Sequence, residues 1–290
     1  MNPEVMKKLV LVVGLVALAS IARAQEQFSL FVASDIQEVR RMLAVADLRK
    51  GDVVLDLGSG DGRIVLEAAR MHPHVQGRGV DIDAKLVRES TAQAQAEKLA
   101  DRVRFVHQDV FETNLSEATV ITMWLFPELM RMLRPKILAE ATPGTRVISR
   151  VWDMGTWTPD RTEDTWPYVY LWVVPARVAG SWTWDLALDG TPFTYSALIE
   201  QRFQDAEGVV RVGNRRGIFE KMTLRGKDIS FALTMTVGDK STVVHTYKGI
   251  VAGDTIEGTV SVQHKPHQKP YVLPWRAVRG QHGTYLSPVK

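Results

Sequence analysis

The sequence predicts an α/β domain built on a parallel sheet, followed by an all-β domain of barrel-like or sandwich form. Three observations carry this. Residues 51–83 read as strand, glycine turn, helix and strand, a complete βαβ unit. Strand-like and helix-like stretches go on alternating to about residue 178. From residue 180 helical periodicity disappears, and short strand candidates separated by turn signals take over. The boundaries drawn from these changes are 1–24 for a leader, 31–178 for the first domain and 180–290 for the second.

Within the βαβ unit, Val53, Val54, Leu55 and Leu57 form a short apolar run suited to the middle of a parallel sheet. The run stops at Gly58-Ser59-Gly60-Asp61-Gly62, where three glycines let the chain turn sharply and a ligand approach the backbone. Ile64, Val65, Ala68 and Ala69 then recur at helical spacing, so the first free amides of that helix face the turn. A second strand, 77–82, carries Asp81 about 20 residues beyond the glycines, the separation that lets a carboxylate accept both hydroxyls of a ribose. A glycine turn without a ligand is one alternative. A dinucleotide site is another, but it asks for G-x-G-x-x-G, and Asp56 and Asp61 beside this turn would repel a pyrophosphate. A cationic, phosphate-free nucleoside meets no such repulsion. A P-loop is excluded because no Gly-Lys-Ser/Thr follows.

The pattern D-x-G-x-G-x-G with an acidic end to the next strand resembles the S-adenosylmethionine site of the class I, or seven-β-strand, methyltransferases. The resemblance implies a Rossmann-like seven-strand methyltransferase domain with S-adenosyl-L-methionine as cofactor. Asp56 or Asp61 would engage the ammonium of the methionine moiety, Gly58 and Gly60 would let its carbon chain pass, and Asp81 would hold the ribose.

From the start of the chain, Lys7-Lys8 precede an apolar run over 9–19, and Ala22-Arg23-Ala24 follows before Gln25. A basic region, a short apolar core and an A-x-A end describe a secretory signal peptide, with an uncleaved anchor as the alternative. The run is short for a spanning helix, so membrane association rests on residues 5–22. Either outcome implies a periplasmic or otherwise exported body, and a leader that fails to function implies a cytoplasmic one. The 290 residues include no cysteine, which decides nothing about compartment, and the formal charge of +3 is spread without a basic groove interleaved with aromatics, so nucleic acid is not expected.

Ile36, Val39, Met42, Leu43, Val45 and Ala46 give a helical stripe with Ser34 or Asp35 as N-cap, and this helix is expected to lay 31–35, Ser34 included, over the cofactor. Residues 84–99 read as a helix and 101–106 as the third strand, leading to Asp109, Val110 and Phe111. In the resembling class an acidic residue here contacts the adenine amino group, which nominates Asp109, with Val110 or Phe111 covering the ring; a loop-capping aspartate is the competing reading. Residues 118–123 form the fourth strand and deliver Trp124-Leu125-Phe126-Pro127 to the carboxyl edge, where ligands bind in open α/β sheets. Adenine and glutamine methyltransferases usually have Asn-Pro-Pro-Tyr there. An aromatic channel for a lysine amine is the expectation instead, with Trp124 as its wall. Leu129, Leu133 and Ile137 share a helix face with Pro135 as an expected kink or break, and 144–150 form the fifth strand. In the loop that follows, Asp153 is the side chain nominated to meet an incoming amine. Residues 168–174 suit a sixth strand and 182–188 a seventh.

LDLGSGDGR, GVDID, MWLFP, LRPKI and GTRVISR together resemble the family of mitochondrial protein-lysine methyltransferases that act on the ATP synthase ring subunit and the adenine nucleotide carrier, with its bacterial relatives. The resemblance covers roughly residues 31–178. Carried over by position, Asp56, Gly58, Gly60 and Gly62 are the cofactor turn and Asp81 the ribose ligand, where the family has a glutamate. The implied activity is in-line N-methylation of a protein lysine. Methylation of a small amine or other small molecule, and a non-catalytic cofactor-binding scaffold in the cell envelope, are the alternatives.

In the second half the candidate strands are 181–188, 193–203, 209–213, 217–225, 228–237, 241–249, 255–264 and 271–278. Phe231, Leu233, Met235, Val243 and Tyr247 are expected to face its core. His264 and His267 lack a third ligand, so no metal is expected. A basic stretch ends the chain, with Lys265, Lys269, Arg276, Arg279 and Lys290.

Overall fold

The computed structural model describes residues 35–237, 241–264 and 269–280. The leader, Ser34, Lys265, His267 and Lys290 lie outside the described residues. The chain divides into two compact units, one running to Ala141 with Arg146–Trp172 added, the other comprising Thr142–Thr145 and the chain from Val173 on.

Among the described residues, the first unit begins with helix α1 (Ile36–Ala46), capped by Asp35, whose carboxylate accepts the amide of Gln37. Strands β1 (Val53–Leu57), β2 (Gln76–Asp81), β3 (Val103–His107), β4 (Val120–Met123) and β5 (Arg146–Arg150) alternate with helices α2 (Arg63–Met71), α3 (Ala84–Ala96) and α4 (Pro127–Glu140). Strands β6 (Arg161–Glu163) and β7 (Val169–Val173) complete a seven-stranded sheet in the order β3-β2-β1-β4-β5-β7-β6. Strands β1 to β5 pair in parallel, whereas β6 runs antiparallel to β7. Buried Val39, Met42, Leu43 and Ala46 of α1 cluster with Val54, Val120 and Ile148 of the sheet, and Val65, Leu66 and Ala69 of α2 with Val103 and Phe105. Truncating Met42 or Leu43 to alanine is expected to cost about 2–5 kcal/mol.

One expectation for this unit is corrected. The stretch read as a sixth strand is β7. The true sixth is the three-residue β6, too short and too polar to signal itself, and 182–188 belongs to the other sheet. Helix α4 runs through Pro135 without ending there. The proline gives up only one ladder bond, to the carbonyl of Arg131.

The second unit holds β8 (Gly180–Leu188), β9 (Thr191–Arg202), β10 (Asp205–Val212), β11 (Arg215–Ile218), β12 (Glu220–Arg225), β13 (Asp228–Val237), β14 (Ser241–Ala252), β15 (Thr255–Gln263) and β16 (Tyr271–Arg279). They form one antiparallel sheet, β11-β10-β9-β8-β16-β15-β14-β13-β12, that curls into a nearly closed barrel. The single strand expected over 217–225 is two strands, broken at Phe219. Its amide crosses to the carbonyl of Gly208 at 3.1 Å and turns the chain from one end of the sheet to the other. Phe231, Leu233, Met235, Val243 and Tyr247 are buried in the barrel core. Trp184 stacks on Tyr195 at 5.1 Å and Phe231 on Tyr247 at 4.7 Å. Strands β8 and β16 pair only at Thr183 with Val278 and Trp182 with Arg279.

Candidate functional site

The turn after β1 is built by backbone bonds that only a permissive sequence allows. Gly58, Gly60 and Gly62 have φ of 78°, 54° and 80°, in the left-handed region that glycine tolerates. The amides of Gly58 and Ser59 both donate to the carbonyl of Val80 at 2.9 Å, which sews the turn to β2. Gly62 opens α2 without a side-chain cap.

Two of these glycines are demanded by protein neighbours rather than by ligand approach alone. A Cβ on Gly58 would lie 2.6 Å from Leu125 Cδ2, and one on Gly62 would lie 2.7 Å from Phe105 Cε1 and 2.8 Å from Ser90 Cβ. Gly79 of β2 has the same constraint, its Cβ position lying 2.7 Å from Ser59 Cβ. Phe105 and Leu125 are thus parts of the site that sequence reasoning did not single out. Their signal was only that of ordinary core residues.

Asp81 stands at the end of β2. Its Oδ2 accepts the Gly60 amide at 2.7 Å and its Oδ1 the Asp83 amide at 2.9 Å. Its own carbonyl accepts the amide of Gln108 at 3.0 Å, which brings the exit of β3 alongside. Asp56 is buried within β1, and Thr122 Oγ1 donates to its Oδ1 at 2.7 Å. Burial pushes the Asp56 carboxyl up to about 7, against the pull of Thr122 and helped by the charges of Asp81 and Asp61. Asp61 is engaged by Arg63, whose Nε donates to Oδ1 at 2.9 Å and Oδ2 at 3.0 Å. The hydroxyl of Ser59, buried in the turn, has no partner.

Asp109 shapes the loop beyond β3. Its Oδ1 accepts the Phe111 amide at 2.8 Å, and its carbonyl accepts from the amide of Glu112 and the hydroxyl of Thr113. The loop-capping reading therefore describes its bonds, and Val110 beside it is half-buried while Phe111 is exposed. Trp124 follows β4 and is half-buried, with the guanidinium carbon of Arg150 4.4 Å from its ring centroid. Arg150 Nη2 in turn meets Glu38 Oε2 of α1 at 2.5 Å. Neither Arg150 nor Glu38 was nominated from sequence. A charged residue closing the apolar strand VISR was the available sign. Asp153 is exposed and accepts the Gly155 amide at 2.8 Å.

The residues at the turn fit a cationic nucleoside cofactor: a carboxylate at the tip of β2, an orphaned hydroxyl in the turn, and, among the described residues, a neighbouring guanidinium, Arg63, that is engaged by Asp61. When bound, S-adenosylmethionine supplies a methyl carbon already activated by its sulfonium.

Residues 56–161 match the family model described as the ANTKMT methyltransferase domain. A protein-lysine N-methyltransferase of Saccharolobus islandicus (strain REY15A) is 39% identical over 129 residues, 44% of this chain and 80% of that protein. The adenine nucleotide translocase lysine N-methyltransferase of Mus musculus is 29% identical over 145 residues, 48% of this chain and 62% of its own length. Among solved structures, an RNA methyltransferase from Salinibacter ruber in complex with S-adenosyl-L-homocysteine is 44% identical, covering 51% of this chain and 96% of that one with a TM-score of 0.49. The chain belongs to the family of protein-lysine N-methyltransferases, and is thereby a class I S-adenosylmethionine-dependent methyltransferase.

Proposed function

We propose that this enzyme methylates the side-chain amine of a protein lysine by direct in-line transfer. The observation that carries the reading is the 39% identity to the archaeal protein-lysine N-methyltransferase across 80% of that protein. The exit of β4 agrees in kind: Trp124-Leu125-Phe126-Pro127 offers aromatic surface and no side-chain amide to grip a planar nitrogen. In the step itself the amine lone pair forms the new N–C bond as the C–S bond breaks, a neutral thioether leaves, and the amine sheds a proton to solvent. Alignment along that line supplies most of the acceleration, so no dedicated base is required.

In this reading Gly58, Gly60 and Gly62 form the cofactor turn, Asp81 takes the ribose hydroxyls, and Asp56 faces the charged methionine end. Asp109 and Val110 flank the adenine, Trp124 walls the amine channel, and Ser34 belongs to the covering segment. Asp153 is the weakest member of the set, since its carboxylate already serves the Gly155 amide. Export through residues 1–24, with membrane association through 5–22, completes the proposal.

The test is methyl transfer from labelled S-adenosylmethionine into an envelope protein extract, followed by hydrolysis and mass spectrometry for methyllysine. Gly60→Val and Asp81→Ala are expected to abolish the label. Label in a nucleotide or small-molecule fraction, and none in lysine, would overturn the acceptor. Fractionation of the full chain against one lacking residues 1–24 tests export.

A further inference from the structure

We infer that Arg150 is a positioning residue of the transfer site: it fixes the plane of Trp124 and occupies a ring face that an acceptor ammonium would otherwise use, so the acceptor amine enters uncharged. The inference rests on the lysine-amine reading above and deepens it.

Arg150 is the last residue of β5, and its side chain is only 9% exposed. Three contacts or strains fix it. Its guanidinium carbon lies 4.4 Å from the Trp124 ring centroid, its Nη2 lies 2.5 Å from Glu38 Oε2, and the next residue, Val151, has φ of 70°. A β-branched residue rarely adopts that conformation. It is held there by the Val151 amide, which donates to the carbonyl of Tyr168 at 2.8 Å. Arg150 Nε and Nη1 are buried without a partner. A buried cation with two empty donors beside a strained residue costs stability, and an apolar side chain of similar volume would pack more favourably. Such costs concentrate where geometry serves function.

The consequence is electrostatic. Aromatic faces attract cations through the ring quadrupole, and here one face already holds a fixed cation. A second cation brought to the ring is repelled by the first, whereas a neutral amine is not. Among the described residues, Glu38 of α1 is the charged group in contact with Arg150, and it offsets part of that charge. Asp56 of β1 is turned to Thr122, and Asp153 after β5 takes the Gly155 amide. The Tyr170 phenol of β7 is raised above its ordinary value by burial and by Asp153, so it stays neutral. Only the amine that has lost its proton is a nucleophile, so excluding the ammonium selects the reactive form.

The probe is an adenosyl analogue in which nitrogen replaces the sulfur and carries a four-carbon arm ending in a primary amine. It is titrated calorimetrically at pH 8 into the full chain, in buffers of different ionisation enthalpy, with S-adenosylhomocysteine as the armless reference. The wild type is expected to release close to one proton per arm bound, and Arg150→Met less than half as much, with folding of the variant checked by near-ultraviolet circular dichroism. Glu38→Gln, which leaves the cation unneutralised, is expected to exclude the ammonium at least as fully and to keep proton release close to one per arm bound. Equal proton release in wild type and Arg150→Met, an arm that adds no affinity over the reference, or proton release that falls in Glu38→Gln would each overturn the inference. Failure of the lysine reading shows separately, as absence of methyllysine in the transfer assay.

Discussion

Asp81 Oδ2 accepts the amide hydrogen of Gly60 at 2.7 Å, so the side chain at the tip of β2 holds the middle of the turn that follows β1. The same carboxylate that would grip a ribose is therefore also a structural tie. Hydrogen bonds to a charged group contribute about 1.5–3 kcal/mol. Asp81→Ala is expected to lower stability by about that amount in urea unfolding. It is also expected to weaken S-adenosylhomocysteine binding by more than about tenfold in calorimetry. Unchanged affinity with reduced stability would leave Asp81 only its structural part.

Gly62 tests the packing side of the turn. Alanine there would adopt φ of 80° and drive its Cβ to 2.7 Å from Phe105 Cε1. Overpacking and left-handed strain together are expected to cost about 2–4 kcal/mol. Phe105→Leu in the Gly62→Ala background should recover part of it, as measured by a double-mutant cycle. A Gly62→Ala variant as stable as wild type would show that the turn yields easily.

Asp56 makes a pH-dependent prediction. Its folded-state value of about 7 lies above the ordinary 3.8, so the folded protein binds this proton more tightly. The stability it contributes is fully present below pH 3.8 and is lost as pH rises through 7. Asp56→Asn is expected to match wild type in acid and to exceed it in stability near pH 8. A cationic ligand reverses the preference by favouring the carboxylate. Cofactor affinity of the wild type should therefore rise from pH 6 to pH 8, while that of Asp56→Asn stays flat. Parallel profiles would remove Asp56 from the charged end of the cofactor.

In the barrel, burial lowers the His245 imidazole from 6.5 to about 4, with a smaller push from His264. Here the unfolded chain binds the extra proton. The contribution is fully present above pH 6.5 and is lost as pH falls through 4. His245→Leu is expected to move the acid unfolding midpoint of the second unit downward, followed by near-ultraviolet circular dichroism. An unmoved midpoint would show that other groups drive acid unfolding.

The glycine turn was legible because φ above zero leaves a signature in residue type, and Asp81 because its spacing from the turn is set by one βαβ unit. The barrel strands were legible from turn residues and from the alternation that buries Phe231, Leu233 and Met235. What escaped was short or distant. Strand β6 offers three polar residues and no pattern, and the break at Phe219 lies inside a continuous strand-like stretch. Arg150 becomes meaningful only when Glu38, more than a hundred positions earlier, is folded against it. The functions of Gly58 and Gly62 were half read: their conformational freedom was visible, but not that Leu125 and Phe105 occupy the space a side chain would need.

The narrow seam between β8 and β16 has a kinetic consequence. Every other pairing in that sheet joins strands adjacent in sequence, so hairpins can form early and locally, whereas this one must bring Thr183 to Val278 across almost the whole second unit. Contacts of such sequence separation carry the largest loop-closure entropy and form late. The barrel is therefore expected to assemble as two hairpin ribbons, β8 to β11 and β12 to β16, that this two-residue weld joins late.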